Sequence, residues 1–165
     1  MDYIVKLAFV LLIFIYTWLF QVQNQEWDLN RSLLKDANNA AVHDAAQAIN
    51  LSEYAKGRIV IDPIAARSAF DKGLEINLGL DEGLNFKKGS PLHAKVEVVD
   101  FIIVDESTNS FPLLYENKLY GITKYLRGPA VIAVIKTKHT VLIARNKSPE
   151  DIEVPAVQEN KLVYK

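Results

Sequence analysis

The 165-residue chain has no cysteine, one methionine and three histidines, and its first glycine and first proline are Gly57 and Pro63. Without cysteine there is no disulfide framework, no thiolate nucleophile and no thiolate metal site. That suits a bacterial or archaeal surface protein better than a small secreted eukaryotic domain. H-E-x-x-H, G-x-S-x-G and G-x-x-x-x-G-K-[ST] are all missing, so no enzyme signature is present. No catalytic, cofactor-binding or metal-ligating residue is expected. A net charge of −1 and a pI near 6.3 give no excess of base for a nucleic-acid surface. No helix breaker interrupts the first 56 residues, which permits one long helix.

What the chain does have is an apolar run at its start. "LAFVLLIFIYTWLF", residues 7–20, carries no charge, glycine or proline, and with Ile4 and Val5 the stretch reaches 17 residues, interrupted only by Lys6. Tyr3 and Val22 extend it towards the ~20 residues that cross a ~30 Å hydrocarbon layer. Twelve of the 17 positions are Leu, Ile, Val or Phe, which together favour insertion by about 4 to 7 kcal/mol. Lys6 can snorkel to the interface, and Tyr3, Tyr16 and Trp18 suit the two membrane boundaries. The exit, Tyr16 to Gln23, offers bulky residues where a signal peptidase needs small ones, so an uncleaved anchor is expected. A short N-terminal tail is expected to stay in the cytoplasm with the rest of the chain outside, although the Lys/Arg bias is weak. Leu7, Val10, Leu11, Phe14, Ile15 and Trp18 are the candidate membrane and assembly residues. Asp2 and Lys6, four apart with the acid first, can form a charge pair on one helix face.

After the polar collar "QVQNQ", an amphipathic pattern begins. Leu33, Leu34, Ala37, Ala40, Ala41, Ala45, Ala48 and Ile49 share one face, whereas Asp28, Arg31, Lys35, Asn38, Asp44 and Gln47 fall mostly outside it. Lys56-Gly57 reads as a last turn with its C′ glycine. The pattern predicts one helix from about residue 3 to about 56, roughly 80 Å long, with a kink permitted at the collar. The alanine-rich face, with Leu33, Ala37, Ala41, Ala45 and Ala48 as its packing positions, lets another backbone come close. Two partners fit it: a helix of another copy, or the protein's own sheet.

The rest predicts a small α+β domain over 57–165, separate from the helix at 1–56, with an antiparallel sheet. Arg58–Ile61 reads as a short strand. Asp62-Pro63 reads as an N-cap and first-turn proline of a helix that carries Ile64, Ala65, Phe70 and Leu74 inward and ends near Leu78-Gly79. Leu80–Pro91 is a loop, and "AKVEVVDFIIV" a strand. A turn at Thr108-Asn109-Ser110 precedes one or two shorter strands. "PAVIAVIKTKHTVLIAR" is the strongest strand signal, its polar middle being either part of a bent strand or a turn. The tail, with two prolines and many charges, is partly extended. His43 has no partner motif for chemistry. Asp81-Glu82 between Gly79 and Gly83 does not match an EF-hand loop and reads as a solvated turn. Asn30, Asn50 and Asn146 begin N-x-[ST] patterns, which are common by chance.

An apolar N-terminal helix running into an Ala-rich amphipathic one, with a small β-containing domain behind, resembles type IV pilin-like proteins. Within that group "LLKDANNAAVHDAAQAIN", "AARSAFDKGLEINLGLD" and "RGPAVIAVI" resemble TadE/TadG-type proteins of tight-adherence systems. Pilins typically carry a basic leader and an early glutamate; here Val5 stands at the fifth position and Asp2 is the early acid. The resemblance implies subunits stored in the membrane and then packed through their N-terminal helices into an extracellular filament, in contact with copies of themselves and with pilus assembly machinery. The alternative is a single-pass anchored extracytoplasmic binding or assembly factor that does not polymerise. The alanine face is the feature a simple tether would not require.

Overall fold

The computed structural model describes residues 2–90, 92, 94–139 and 150–164. It is an α+β protein: a long N-terminal helix followed by a small domain with a further helix and an antiparallel sheet. In chain order the elements are α1 (Asp2–Ala46), α2 (Leu51–Tyr54), α3 (Pro63–Leu78), β1 (Val96–Val104), β2 (Leu113–Asn117), β3 (Ile122–Leu126), β4 (Ala130–His139) and β5 (Glu150–Glu159), then a 3₁₀ turn at Lys161–Tyr164.

Strands β1, β4 and β5 form one antiparallel sheet with β4 in the centre, and β2 and β3 form a separate two-stranded ribbon. The parity of β4 sorts the core. Val131, Ala133 and Ile135 face α1 and α3, while Ala130, Ile132 and Val134 face the ribbon. Over residues 130–135 this central strand is covered on both sides and has no solvated face, which is why that part of its sequence is a continuous apolar run. On β1 the register shifts between Val98 and Asp100. That extra residue keeps Val96, Val98, Phe101 and Ile103 together on the helix side.

Helix α3 begins and ends as its sequence predicts and carries Phe70 and Leu74 inward, but Ile64 and Ala65, expected inward, are exposed in its first turn. The Asp62 side chain accepts from the N–H groups of Ile64 and Ala65, Pro63 occupies the first turn, and Gly79 closes the helix at φ 63°. The α1 helix differs. It runs unbroken through the collar but stops at Ala46, not near residue 56. The cause is tertiary. The Asn50 N–H donates to the Val60 carbonyl and the Asp62 N–H to the Ala48 carbonyl, so residues 48–50 pair with 60–62 instead of continuing the helix. Asn50 then caps α2 by accepting from Ser52 and Glu53, and Gly57, with φ 84°, ends that turn. The expected strand at 58–61 is accordingly a single bridge between Ile49 and Ile61. Its Ile59 and Ile61 N–H groups are accepted by the carboxylates of Glu106 (2.6 Å) and Asp105 (3.0 Å). The polar middle of the strong strand signal belongs to β4 as far as His139, the residues after it lying outside the described set, and the charged tail is the edge strand β5.

Candidate membrane and assembly surface

Helix α1 has two environments. From residue 30 onwards it is part of the core; before residue 23 every described residue is exposed. The six candidate positions Leu7, Val10, Leu11, Phe14, Ile15 and Trp18 are between 40% and 68% exposed, so none is used by the chain's own fold. Residues 2–22 extend about 32 Å at 1.5 Å per residue, and mean hydropathy within the helix reaches 2.2. This is an N-terminal helix long and apolar enough to cross a membrane. The Thr17 hydroxyl donates back to the Ile13 carbonyl at 2.8 Å and so presents no unmet donor to an apolar surrounding. Lys6 lies 6.0 Å from the centre of the Tyr3 ring, and among the described residues it forms no ion pair with Asp2.

The alanine face has its partner within the chain. Ala37, Ala41 and Ala45 are buried against α3 and the sheet, with Leu33 and Ala48 half-buried at the margins. The close approach that small residues allow is made by Gly73 of α3: a β-carbon there would lie 2.9 Å from Ala41 Cα. Sequence periodicity sets the buried stripe slightly too far round the helix and misses Asn30, Asn38, Val42 and Ala46. Asn38 falls outside the expected stripe because it is polar. It is fully buried, and its Nδ2 donates to the carbonyls of Ala133 on β4 (3.2 Å) and Val154 on β5 (2.9 Å). Its spacing of four from both Leu34 and Val42 was the available signal. Beside Val154, Pro155 brings no N–H to the sheet, and the Asn38 amide adds donors there. Asn30 Nδ2 lies 3.4 Å from His139 Nδ1, and the Asn160 side-chain amide donates to the Ala46 carbonyl at the helix end. Amides thus tie the buried half of α1 to β4, to β5 and to the residue that follows β5.

The remaining polar candidates have local roles. Asp81 Oδ1 accepts from the N–H groups of Gly83 (2.8 Å) and Asn85 (2.9 Å). The Asn85 backbone bond is the main reason its carboxyl titrates below the usual range. His43 is half-buried on α1, and no cluster of three potential metal ligands occurs among the described residues. Of the N-x-[ST] asparagines, Asn30 is buried and Asn50 is a helix cap, and Asn146 lies outside the described residues. On the sheet face beyond the ribbon, Lys136 sits between Glu97 and Glu153 across the three strands, 3.2 Å from Glu97, which holds its ammonium above the usual lysine range. These charges are an ordinary solvated sheet face. No protein-family model, curated protein or solved structure matches the chain.

Proposed function

We propose that the chain is a membrane-held, pilin-like structural subunit that polymerises through its apolar N-terminal helix into a surface filament, with the α+β domain outside the cell. The observation that carries this reading is the construction of α1. One helix without a glycine or proline is bare for its first 21 residues, apolar from Ile4 to Phe20 apart from Lys6, and locked into the core from Asn30 onwards. Apolar side chains in such number need cover: lipid in the membrane, or other copies outside it. A bundle of identical helices supplies that cover with all backbone groups satisfied internally. A flexible tether would not need the helix to enter the domain unbroken.

A second reading, an anchored binding or assembly factor that stays monomeric, is favoured by the fate of the alanine face. Its own α3 and sheet occupy that face, so it no longer argues for a partner helix. Electron microscopy of material sheared from cells, with mass spectrometry of its subunits, separates the two. Filaments containing this chain support the subunit reading; its retention in the membrane fraction alone supports the tether.

A further inference from the structure

Residues 47–56 contain no glycine or proline, and Ala48, Leu51, Glu53, Ala55 and Lys56 are good helix formers. Instead of continuing α1 they form a strap, a bend at 47–50 followed by the single turn of α2. Hydrogen bonding inside the strap does not favour that arrangement. Of the ten N–H groups from Gln47 to Lys56 nine have an acceptor, and that of Leu51 has none among the described residues. A continuous helix would satisfy all ten. Burial adds little, since no residue of 47–56 is fully buried and Leu51 is 74% exposed.

What holds the strap comes from elsewhere in the chain. The carboxylates of Glu106 and Asp105 accept from the Ile59 and Ile61 N–H groups, which keeps 60–62 in place to pair with 48–50. The Asn160 amide occupies the Ala46 carbonyl that the Asn50 N–H would use in a helix. The connection to α3 is long enough for the alternative. A helix ending at residue 56 would stand about 12 Å beyond Ala48, and residues 57–62 reach about 20 Å, so α3 need not move. We propose that residues 47–56 are a two-state element, either the observed strap or a continuation of α1 to residue 56, with the carboxylates of Asp105 and Glu106 selecting the strap. The continuation carries the exposed Leu51 and Tyr54 outward on a rod about 15 Å longer, at the end opposite the arm. It is independent of whether the arm polymerises.

Leu51→Pro separates the two states. Position 51 opens α2 after an extended Asn50 (ψ 107°), as Pro63 opens α3 after Asp62, so proline fits the strap and removes no hydrogen bond there. Inside a continuous α1 the same proline breaks the helix. The full-length chain in mild detergent is compared by NMR with Asp105→Ala/Glu106→Ala and with Asn50→Ala, which removes the cap of α2. Each is made with and without Leu51→Pro, and β4 amide protection reports that the core stays folded. In both variants the Cα shifts of 48–50 are expected to move towards helical values and exchange of the Leu51 N–H to slow at least tenfold, with Leu51→Pro reversing the shifts. Residues 48–50 that lose order without gaining helix, or helical shifts that survive Leu51→Pro, overturn the proposal. If the carboxylate variant loses β4 protection, Asn50→Ala decides alone: a helical gain reversed by Leu51→Pro supports the two states, and no gain overturns them.

Discussion

A single missing side chain sets how near α3 comes to α1. Any β-carbon at residue 73 would press on the Ala41 backbone, which cannot retreat without moving the helix. Gly73→Ala is therefore expected to destabilise the fold by about 1 to 3 kcal/mol through overpacking, although alanine is the better helix former. Urea unfolding of the full-length chain in mild detergent measures this, and adding Ala41→Gly should recover part of the loss. Charge at the residue level is simpler. Hydrogen bonds from Lys56 and then Arg58 hold the Glu53 carboxyl below its ordinary value of 4.5. A carboxylate lowered on folding stabilises the fold above its unfolded pKa, and that contribution fades as pH falls through the lower folded value. An NMR titration should place the Glu53 midpoint below 4.5 in the native chain and return it towards 4.5 in Lys56→Ala/Arg58→Ala.

Among the elements, the segment at 58–61 depends on groups far away in sequence. Asp105 is 4% exposed and accepts from the Ile61 N–H, the Ser107 N–H and the Ser107 hydroxyl. Asp105→Ala leaves the buried Ile61 donor unmet and should cost about 1 to 3 kcal/mol. Hydrogen exchange should quicken at residue 61 first, and unchanged protection there would show that the carboxylate is not the anchor. This dependence explains what the sequence could and could not reveal. Helix α3 was legible because its cap, first-turn proline and terminal glycine act locally. Strand β4 was legible because burial on both faces leaves a continuous apolar run. The end of α1 was not, since no glycine or proline stands between Ala46 and Lys56 and the only local signal is the Asn50–Glu53 cap; the competing pairing with 60–62 is a tertiary contact. Strand β5 was legible only in part. Ile152, Val154 and Ala156 alternate inward, but Pro155 and the intervening acids resemble a loop until the strand is known to lie at an edge, where both are tolerated. Asn38 was hidden for the opposite reason: a buried amide with sheet carbonyls to bond looks in sequence like a surface residue. The bare arm needed no tertiary information, because its composition alone states that it seeks an apolar surrounding.

At the level of the whole molecule, the fold is a domain built around the second half of a rod whose first half it does not cover. That division makes the subunit reading testable in one comparison. Residues 4–20 stay out of water only in lipid, in detergent or among other copies, whereas a chain starting at Gln23 keeps the entire described core. Sedimentation and electron microscopy after lipid and detergent removal, applied to the full-length chain and to the chain starting at Gln23, measure this directly. The expected result is long lipid-free polymers from the full-length chain and a folded, soluble monomer from the shorter one. Polymers from the shorter chain would show that the domain drives assembly. Full-length protein that remains monomeric in mild detergent and never forms ordered polymers without it would contradict assembly through the apolar helix.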